Sequence, residues 1–335
     1  MTQKMWTRRR FGQVAAAGAA AGLFMPAIAR GQGATEIRLA LHTALDSEQN
    51  IAANAFADKL ADYAGGSLKV TVLPAAQMGG QREIVESVSL GVLAMGYGES
   101  GLYAAYVPQF SVLALAYLYA DFAHWERVVD GPVGQDLAAR LDTAGGMRVV
   151  NYLTGGYRST FLRDKPVDVP EDFEGVKIRL PEAPVFVRTF GALGASPTPI
   201  PAPEMYSALQ TGVVDAMEGS LETGFTYKIH EVCKYLSLTQ HILLDGSFVI
   251  NSGFMDGLSA DEQAAIARAG QEVAAEQRAA HLERNAMWQQ RLVEEGGVTL
   301  NEPDLAPFME RLAPLQDEFA AESQATDILA QIRAA

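Results

Sequence analysis

The sequence is poor in the side chains that metal and thiol chemistry require. It contains five histidines and a single cysteine, Cys233, in 335 residues, so no intrachain disulfide can form. The histidines show no spacing typical of metal ligands. Positive charge is also scarce: 26 Lys and Arg against 40 Asp and Glu give a net charge of −14, which argues against a nucleic-acid or anionic-membrane surface. We therefore expect no metal, no cofactor and no nucleic-acid partner.

Long hydrophobic runs are lacking too, apart from a mild one near the N-terminus that is too short to span a bilayer stably. It follows the basic segment Thr-Arg-Arg-Arg-Phe-Gly at residues 7–12 and leads to Ala27-Ile28-Ala29. A basic segment, a short apolar run and a small-residue cleavage site predict an export signal of the twin-arginine type over residues 1–29. A standard Sec signal is the alternative, and either route delivers a periplasmic protein.

Strand and helix patterns alternate after this segment. Residues 37–41, 68–73 and 93–96 read as buried strands with amphipathic helices between them, and residues 177–180 read as a further strand in a second such unit. The capping box Ser259-x-x-Glu262 predicts the start of a long helix. This pattern is typical of an α/β protein with mostly parallel sheets. Two units suggest two lobes whose strand ends face a cleft that closes by hinge motion.

A glycine pattern, G-x-G-x-x-G, occupies residues 96–101 directly after the third predicted strand. A dinucleotide site would need a full helix here, but Pro108 follows within seven residues. We interpret the segment as a loop at the carboxyl end of a strand, where it can face a ligand. His42, just past the first strand, can contact a ligand in the same way.

Two arginines lie at predicted strands. Residues 147–153 read as a strand that Gly155-Gly156 breaks, and Arg158 follows it, whereas Arg179 lies inside the strand at residues 177–180. A buried arginine needs an anionic partner, because an unpaired buried charge is very costly. Its planar fork suits a carboxylate. Position alone leaves two alternatives, a ligand carboxylate or a structural salt bridge.

The stretch around Arg179, Asp-Phe-Glu-Gly-Val-Lys-Ile-Arg-Leu at residues 172–180, is followed by Gly-Ala-Leu-Gly-Ala at 191–195 and Glu-Met-Tyr-Ser-Ala-Leu-Gln-Thr-Gly-Val-Val-Asp at 204–215. This ordered set resembles the solute receptors of tripartite ATP-independent periplasmic (TRAP) transporters, and the resemblance covers nearly all of the mature chain.

The resemblance implies a two-lobed, type II-like periplasmic-binding-protein fold with mostly parallel central sheets, a hinge cleft and long helices. We expect lobe I to comprise residues 34–154 and about 245–284. Lobe II is expected to comprise residues 155–244 and about 285–310, and the C-terminal helix is expected to pack back on lobe I.

The resemblance also assigns roles. Arg179 matches the arginine that pairs with the ligand carboxylate, and Arg158 matches a second arginine that supports it. Many relatives carry an Asn after the glutamate that matches Glu218, where this chain has Gly219, and an aromatic residue where it has Ala202. Both differences remove volume. We therefore expect a roomier pocket, which favours a monocarboxylate such as a sugar acid or a 2-hydroxy or 2-oxo acid over a C4-dicarboxylate.

Four polar residues on first-lobe loops are expected to contact the far end of the ligand. They are Gln49, Asn50, Glu99 and Ser100. The expected protein is a monomeric receptor, not an enzyme, that closes on a small organic acid and docks on the membrane subunits of a transporter. The alternatives are an exported cofactor-dependent oxidoreductase and a receptor for an ATP-driven transporter; the stretch around Arg179 argues against the latter.

Overall fold

The computed structural model describes residues 33–335, so the predicted export signal lies outside the described residues. The strands are β1 (Thr35–Ala40), β2 (Leu68–Leu73), β3 (Met95–Glu99), β4 (Met147–Val149), β5 (Leu153–Leu162), β6 (Lys177–Leu180), β7 (Ser196–Pro199), β8 (Ala216–Gly219), β9 (Tyr235–Asn251) and β10 (Thr299–Asn301). The helices are α1 (Glu48–Tyr63), α2 (Gln81–Ser89), α3 (Ser100–Tyr103), α4 (Phe122–Asp130), α5 (Pro132–Gly145), α6 (Pro184–Ala192), α7 (Met205–Gln210), α8 (Leu221–Thr226), α9 (Ile229–Val232), α10 (Ser252–Asp256), α11 (Ala260–Glu294), α12 (Ala306–Glu322) and α13 (Thr326–Arg333). Short 3₁₀ helices cover Pro108–Ala114, Pro170–Phe173 and Ala202–Glu204.

The strands pair in the order β2-β1-β3-β9-β5-β8-β6-β7, and β4 and β10 also pair with β9. One end of this order is the parallel set β2-β1-β3, and the other is the parallel set β8-β6-β7. The long strands β5 and β9 run antiparallel to each other between these sets. Both parallel sets come from βαβ units, as the alternating pattern predicts.

The β5–β9 pair is irregular where it passes between the two sets. Its register shifts between Thr154 and Gly156 and again between Arg158 and Thr160. Gly156 has a φ of 76°, and a Cβ there would meet the His281 ring at 2.5 Å, so only glycine fits this bulge. The prediction that Gly155-Gly156 breaks a strand is therefore wrong: both glycines lie inside β5, and Arg158 is a strand residue.

Apolar faces of β1, α1 and α11 pack together on one side of the sheet. Ile37 and Leu39 of β1 alternate with exposed residues, and Ala52, Phe56 and Leu60 repeat at helical spacing along α1; all are buried in one cluster. The predicted helix after the first strand is thus confirmed. A separate cluster under α7, β8 and α8 includes the free Cys233, whose thiol pKa burial raises to about 12.

The long helix α11 has 35 residues, which corresponds to about 50 Å of length. It begins with the predicted capping box: the Ser259 hydroxyl accepts from the Glu262 N–H, and the Glu262 carboxylate accepts from the Ser259 N–H. Along its length α11 contacts α1, β5 and α8. It therefore touches elements from both ends of the sheet.

The glycine-rich segment at residues 96–101 is not a loop. Gly96 and Gly98 lie within β3, where an added Cβ would clash with Ile84 and with Tyr103, and the short helix α3 begins at Ser100. Close packing of α2 and α3 on the strand thus accounts for these glycines. Strand β7 pairs with β6 although it contains two prolines, Pro197 and Pro199.

The C-terminal helices cover the 3₁₀ segment Pro108–Ala114. Helix α13 packs on this segment and on α5, while α12 packs on it and on α6. No helix among residues 33–335 is both long and apolar enough to cross a membrane.

Candidate ligand site

A cavity lies between two parts of the molecule, with the ends of β1 and β3 on one side and the end of β6 and the start of α8 on the other. It contains about 680 Å³ of space free of protein atoms, some of it open to solvent. Five of the nine predicted site residues line it. They are Gln49, Glu99, Arg158, Arg179 and Ala202.

Arg179 points into this cavity from β6 with only 4% of its surface exposed. Its Nε donates to the Ile200 carbonyl at 2.8 Å, which fixes the plane of the guanidinium. Within residues 33–335 no carboxylate lies within the 4.0 Å of a salt bridge. Burial lowers the pKa of Arg179 to about 10, although the negative charge of the nearby Glu218 acts to raise it. The guanidinium remains charged at neutral pH and lacks an anionic partner.

Arg158 lies on β5, which β8 separates from β6, and it is already paired. Its Nε and Nη2 contact the two carboxylate oxygens of Glu218 at 2.5 and 2.7 Å, and the His241 ring contacts Glu218 at 3.1 Å. Burial alone would raise the pKa of Glu218, but Arg158 and His241 lower it to about 2. The charge of Glu218 raises the pKa of Arg158 despite burial. Of the two alternatives for a buried arginine, a ligand carboxylate or a structural salt bridge, Arg158 forms the salt bridge. It also forms part of the cavity wall.

Glu99 ends β3 and places a carboxyl on the opposite wall. Its nearest carboxylate oxygen lies 3.8 Å from Nη1 of Arg158. Burial raises the pKa of Glu99, and the Arg158 charge opposes this rise. The cavity therefore has a cationic end at Arg179 and an acidic group beside Arg158.

Among residues 33–335, three polar atoms of the same wall are buried without a hydrogen-bond partner: His42 Nδ1, Gln81 Nε2 and Tyr97 OH. Buried polar groups are normally bonded, so such a cluster in a cavity points to a ligand or water. Burial and the Arg179 charge lower the pKa of His42 to about 3, so its ring is neutral. Tyr97 fits only because residue 246 is glycine: a Cβ there would lie 2.4 Å from its hydroxyl.

The other four predicted site residues lie behind the wall. Glu218 is fully buried against Arg158 and His241. A Cβ on Gly219 would meet the methyl of Met217 at 2.7 Å, so Met217 occupies part of the volume that the glycine leaves. The remaining two are Ser100, which donates to the Asp245 carboxylate, and Asn50, whose amide donates to the Leu45 carbonyl at 2.6 Å.

Sequence reasoning missed several wall residues. Gln81, Tyr97, Thr223 and Tyr227 all line the cavity; of these four, only Tyr97 lies in a motif, the glycine pattern at residues 96–101. Position past a strand end identified His42 and Glu99, and it could have identified Tyr97 in the same strand. No group of three or more His, Cys, Asp and Glu side chains in the described chain is arranged to hold a metal ion.

Comparison with known proteins places the chain in a family. The model for bacterial extracellular solute-binding proteins, family 7, matches residues 40–323. The sialic acid-binding periplasmic protein SiaP of Vibrio cholerae is 31% identical over 300 residues, covering 89% of this chain and 92% of SiaP. The 2,3-diketo-L-gulonate-binding periplasmic protein YiaO of Escherichia coli is 34% identical over 245 residues, covering 73% of this chain and 74% of YiaO.

Among solved structures, a TRAP periplasmic solute-binding protein from Sulfitobacter sp. NAS-14.1 with bound β-D-galacturonate superposes with a TM-score of 0.86 at 28% identity. The match covers 90% of this chain and all of that one. The chain therefore belongs to family 7 of the bacterial extracellular solute-binding proteins, the receptors of TRAP transporters. The predicted two-lobed binding-protein fold and the predicted family are confirmed, and the relatives are binding proteins of transporters rather than enzymes.

Proposed function

We propose that this protein is an exported periplasmic receptor that captures a small monocarboxylate, with a sugar acid or a 2-hydroxy or 2-oxo acid favoured, for the membrane subunits of a TRAP transporter. The observation that carries the proposal is Arg179, a charged guanidinium buried in a cavity without a carboxylate partner in the described part of the chain. A ligand carboxylate supplies the missing anion.

The energetics favour a carboxylate over a neutral solute. Removing one partner of a buried, hydrogen-bonded charge pair costs about 2–5 kcal/mol, much of it the penalty of leaving the other charge unpaired. A ligand without a carboxylate would leave Arg179 unpaired in this way. With Nε held by Ile200, the two remaining nitrogens can form the fork that binds a carboxylate at two points.

The opposite wall favours a single carboxylate on the ligand. Glu99 would repel a second carboxylate, whereas it can accept hydrogen bonds from hydroxyls. His42, Gln81 and Tyr97 add donors and acceptors that lack partners. This combination suits a hydroxylated acid, and the bound β-D-galacturonate of the Sulfitobacter protein is one.

The same proposal includes the organisation of the chain. Residues 1–29 act as a twin-arginine or Sec export signal, and the mature chain works as a monomer. We propose the lobe boundaries expected from the resemblance, with residues 34–154 and about 245–284 in lobe I, 155–244 and about 285–310 in lobe II, and the C-terminal helix on lobe I. The contacts of α13 with α5 and with Pro108–Ala114 support the last assignment.

The test is a thermal-shift screen of the mature protein, refolded free of carried-over ligand, against uronates, aldonates, 2-hydroxy and 2-oxo acids and C4-dicarboxylates. A ligand at 100 times its Kd adds about 2.7 kcal/mol of stability, a shift of several degrees. Isothermal titration then gives Kd for the hits.

Arg179→Ala should weaken binding of those hits about 30-fold to several thousand-fold, the equivalent of about 2–5 kcal/mol. Arg163→Ala is the matched control, because Arg163 also donates to a backbone carbonyl, that of Leu209 at 3.0 Å, but does not line the cavity. A screen in which no acid shifts the melt, or an Arg179→Ala protein that binds as well as the control, contradicts the proposal.

A further inference from the structure

A buried glutamate, Glu222, connects the two walls of the cavity. It lies in the first turn of α8 with 5% of its surface exposed. One carboxyl oxygen accepts a hydrogen bond from the backbone N–H of Glu48, the first residue of α1, at 2.5 Å. Helix N-termini carry free N–H groups and partial positive charge, so Glu222 satisfies one of these groups in a helix 174 positions away along the chain.

Both ends of this contact adjoin residues that line the cavity. Gln49, next to Glu48, lines the cavity, and so do Ser220 and Thr223 on either side of Glu222. A second bond joins the same two walls: the Tyr227 hydroxyl donates to the His42 carbonyl at 3.0 Å. A movement that separates α1 from α8 would break or stretch the Glu222 contact.

The surroundings of Glu222 are crowded with acidic groups. The Glu48 carboxylate, which accepts from Gln277 at 2.9 Å and lies 3.3 Å from the His281 ring, faces it from α1. Asp46 adds further negative charge, and Arg284 of α11 opposes it. Burial first, and then the Glu48 charge, raise the pKa of Glu222 to about 8, and they outweigh the hydrogen bond from the Glu48 N–H, which favours the ionised carboxylate. With the walls together the carboxyl is therefore protonated at neutral pH.

We propose that Glu222 is a positioning residue that holds the two walls of the ligand site together in its protonated form, so that ligand affinity is coupled to the uptake of a proton. This inference rests on the proposed receptor function. Glu222 does not touch the ligand; it acts through α1, which carries Gln49, and through α8, which carries Ser220 and Thr223.

The sign of the pH dependence follows from the difference between the two arrangements. When the walls separate, water reaches Glu222 and its pKa returns toward the ordinary value of 4.5. The joined arrangement holds the proton more tightly. The extra ligand affinity that this proton gives is therefore complete below about pH 4.5. It is lost progressively as the pH rises to about 8, with Kd rising by up to about tenfold per pH unit.

The experiment measures Kd for D-galacturonate, or for the strongest hit of the acid screen, at five pH values from 5 to 9. The ligand carboxylate stays ionised over this range. We expect the wild-type Kd to rise at least tenfold between pH 5 and pH 8. Glu222→Gln keeps the acceptor for the Glu48 N–H and cannot ionise, so its Kd should vary less than threefold. Glu283→Gln, an exposed glutamate on α11, should reproduce the wild-type profile.

Glu99 and Asp245 also have raised pKa values, Asp245 to about 7, so the wild-type slope alone decides nothing. A Glu222→Gln profile parallel to the wild-type profile overturns the inference. Glu48→Gln provides a second variant: it removes a charge that raises the pKa of Glu222, so the fall in affinity should end at a lower pH and be smaller in total. An unchanged Glu48→Gln profile counts against the inference as well.

Failure of the receptor function is distinguishable from failure of this inference. If the wild-type protein binds no acid at any pH, the receptor proposal fails. Urea unfolding of the ligand-free proteins then tests the contact by itself: the wild-type protein should lose more stability than Glu222→Gln between pH 5 and pH 8. Equal losses in both proteins refute a role for the Glu222 proton.

Discussion

The ion pair behind the cavity allows a quantitative prediction. Glu218→Gln preserves the shape of the side chain but removes the charge that pairs with Arg158. The Arg158 side chain is 5% exposed, and the next carboxylate, Glu99, is 3.8 Å away, so the guanidinium would lose its main partner without gaining water. Breaking a buried pair in this way costs about 3–5 kcal/mol.

The lowered pKa of Glu218 gives a second way to calculate the folding free energy that Glu218→Gln loses. A fall in its pKa from 4.5 to about 2 corresponds to about 3 kcal/mol of folding free energy at neutral pH. Both routes predict that Glu218→Gln loses about 3 kcal/mol at pH 7. Urea unfolding followed by circular dichroism measures this loss, with Glu310→Gln, an exposed glutamate on α12, as the matched control.

The pH dependence of the stability difference between wild-type and Glu218→Gln is the sharper test. Because the pKa of Glu218 is lowered in the folded protein, its contribution is present above about pH 4.5 and is lost as the pH falls toward 2. The gap between wild-type and Glu218→Gln should narrow over that range. A loss below about 1 kcal/mol at pH 7, or a gap that stays constant in acid, refutes the argument.

Two further substitutions test individual contacts. Gly246→Ala would place a Cβ 2.4 Å from the Tyr97 hydroxyl, so we expect a lower melting temperature and at least tenfold weaker binding of the acid; an unchanged Kd would show that Tyr97 does not shape the cavity. Ser259→Ala removes the cap of α11 and should cost about 1 kcal/mol of unfolding free energy, whereas Ser259→Asp should cost little; equal losses for both would mean that the cap contributes nothing.

Elements with a clear short-range sequence pattern were predicted correctly. The strand at residues 68–73, the strand at 177–180 and the capping box of α11 are all confirmed. The 17-residue strand β9 was not identified. Its sequence contains buried His241 and Asp245, which do not read as strand core. Those polar side chains are tolerated because Glu218 and Ser100, distant in sequence, bond them.

The candidate site was predictable only in part, because the direction of a side chain depends on how strands pair. Glu99 could be expected at the cavity from its position after a predicted strand. The position of Arg179 inside a strand left two alternatives, and only the family resemblance assigned it to the ligand. Ser100, one residue after Glu99, instead bonds Asp245 behind the wall. The unbonded hydroxyl of Tyr97 becomes visible only when Gly246 is seen beside it in the neighbouring strand.

The lone Cys233 makes this protein convenient for spectroscopic labelling. Its thiol is fully buried and its pKa is about 12, so almost no thiolate is present at neutral pH, and thiolate is the reactive form. A pair of cysteines introduced at exposed positions on opposite sides of the cavity will take up spin labels or fluorophores without removal of the native cysteine. Distances between such labels would then report directly how the protein changes shape when an acid binds.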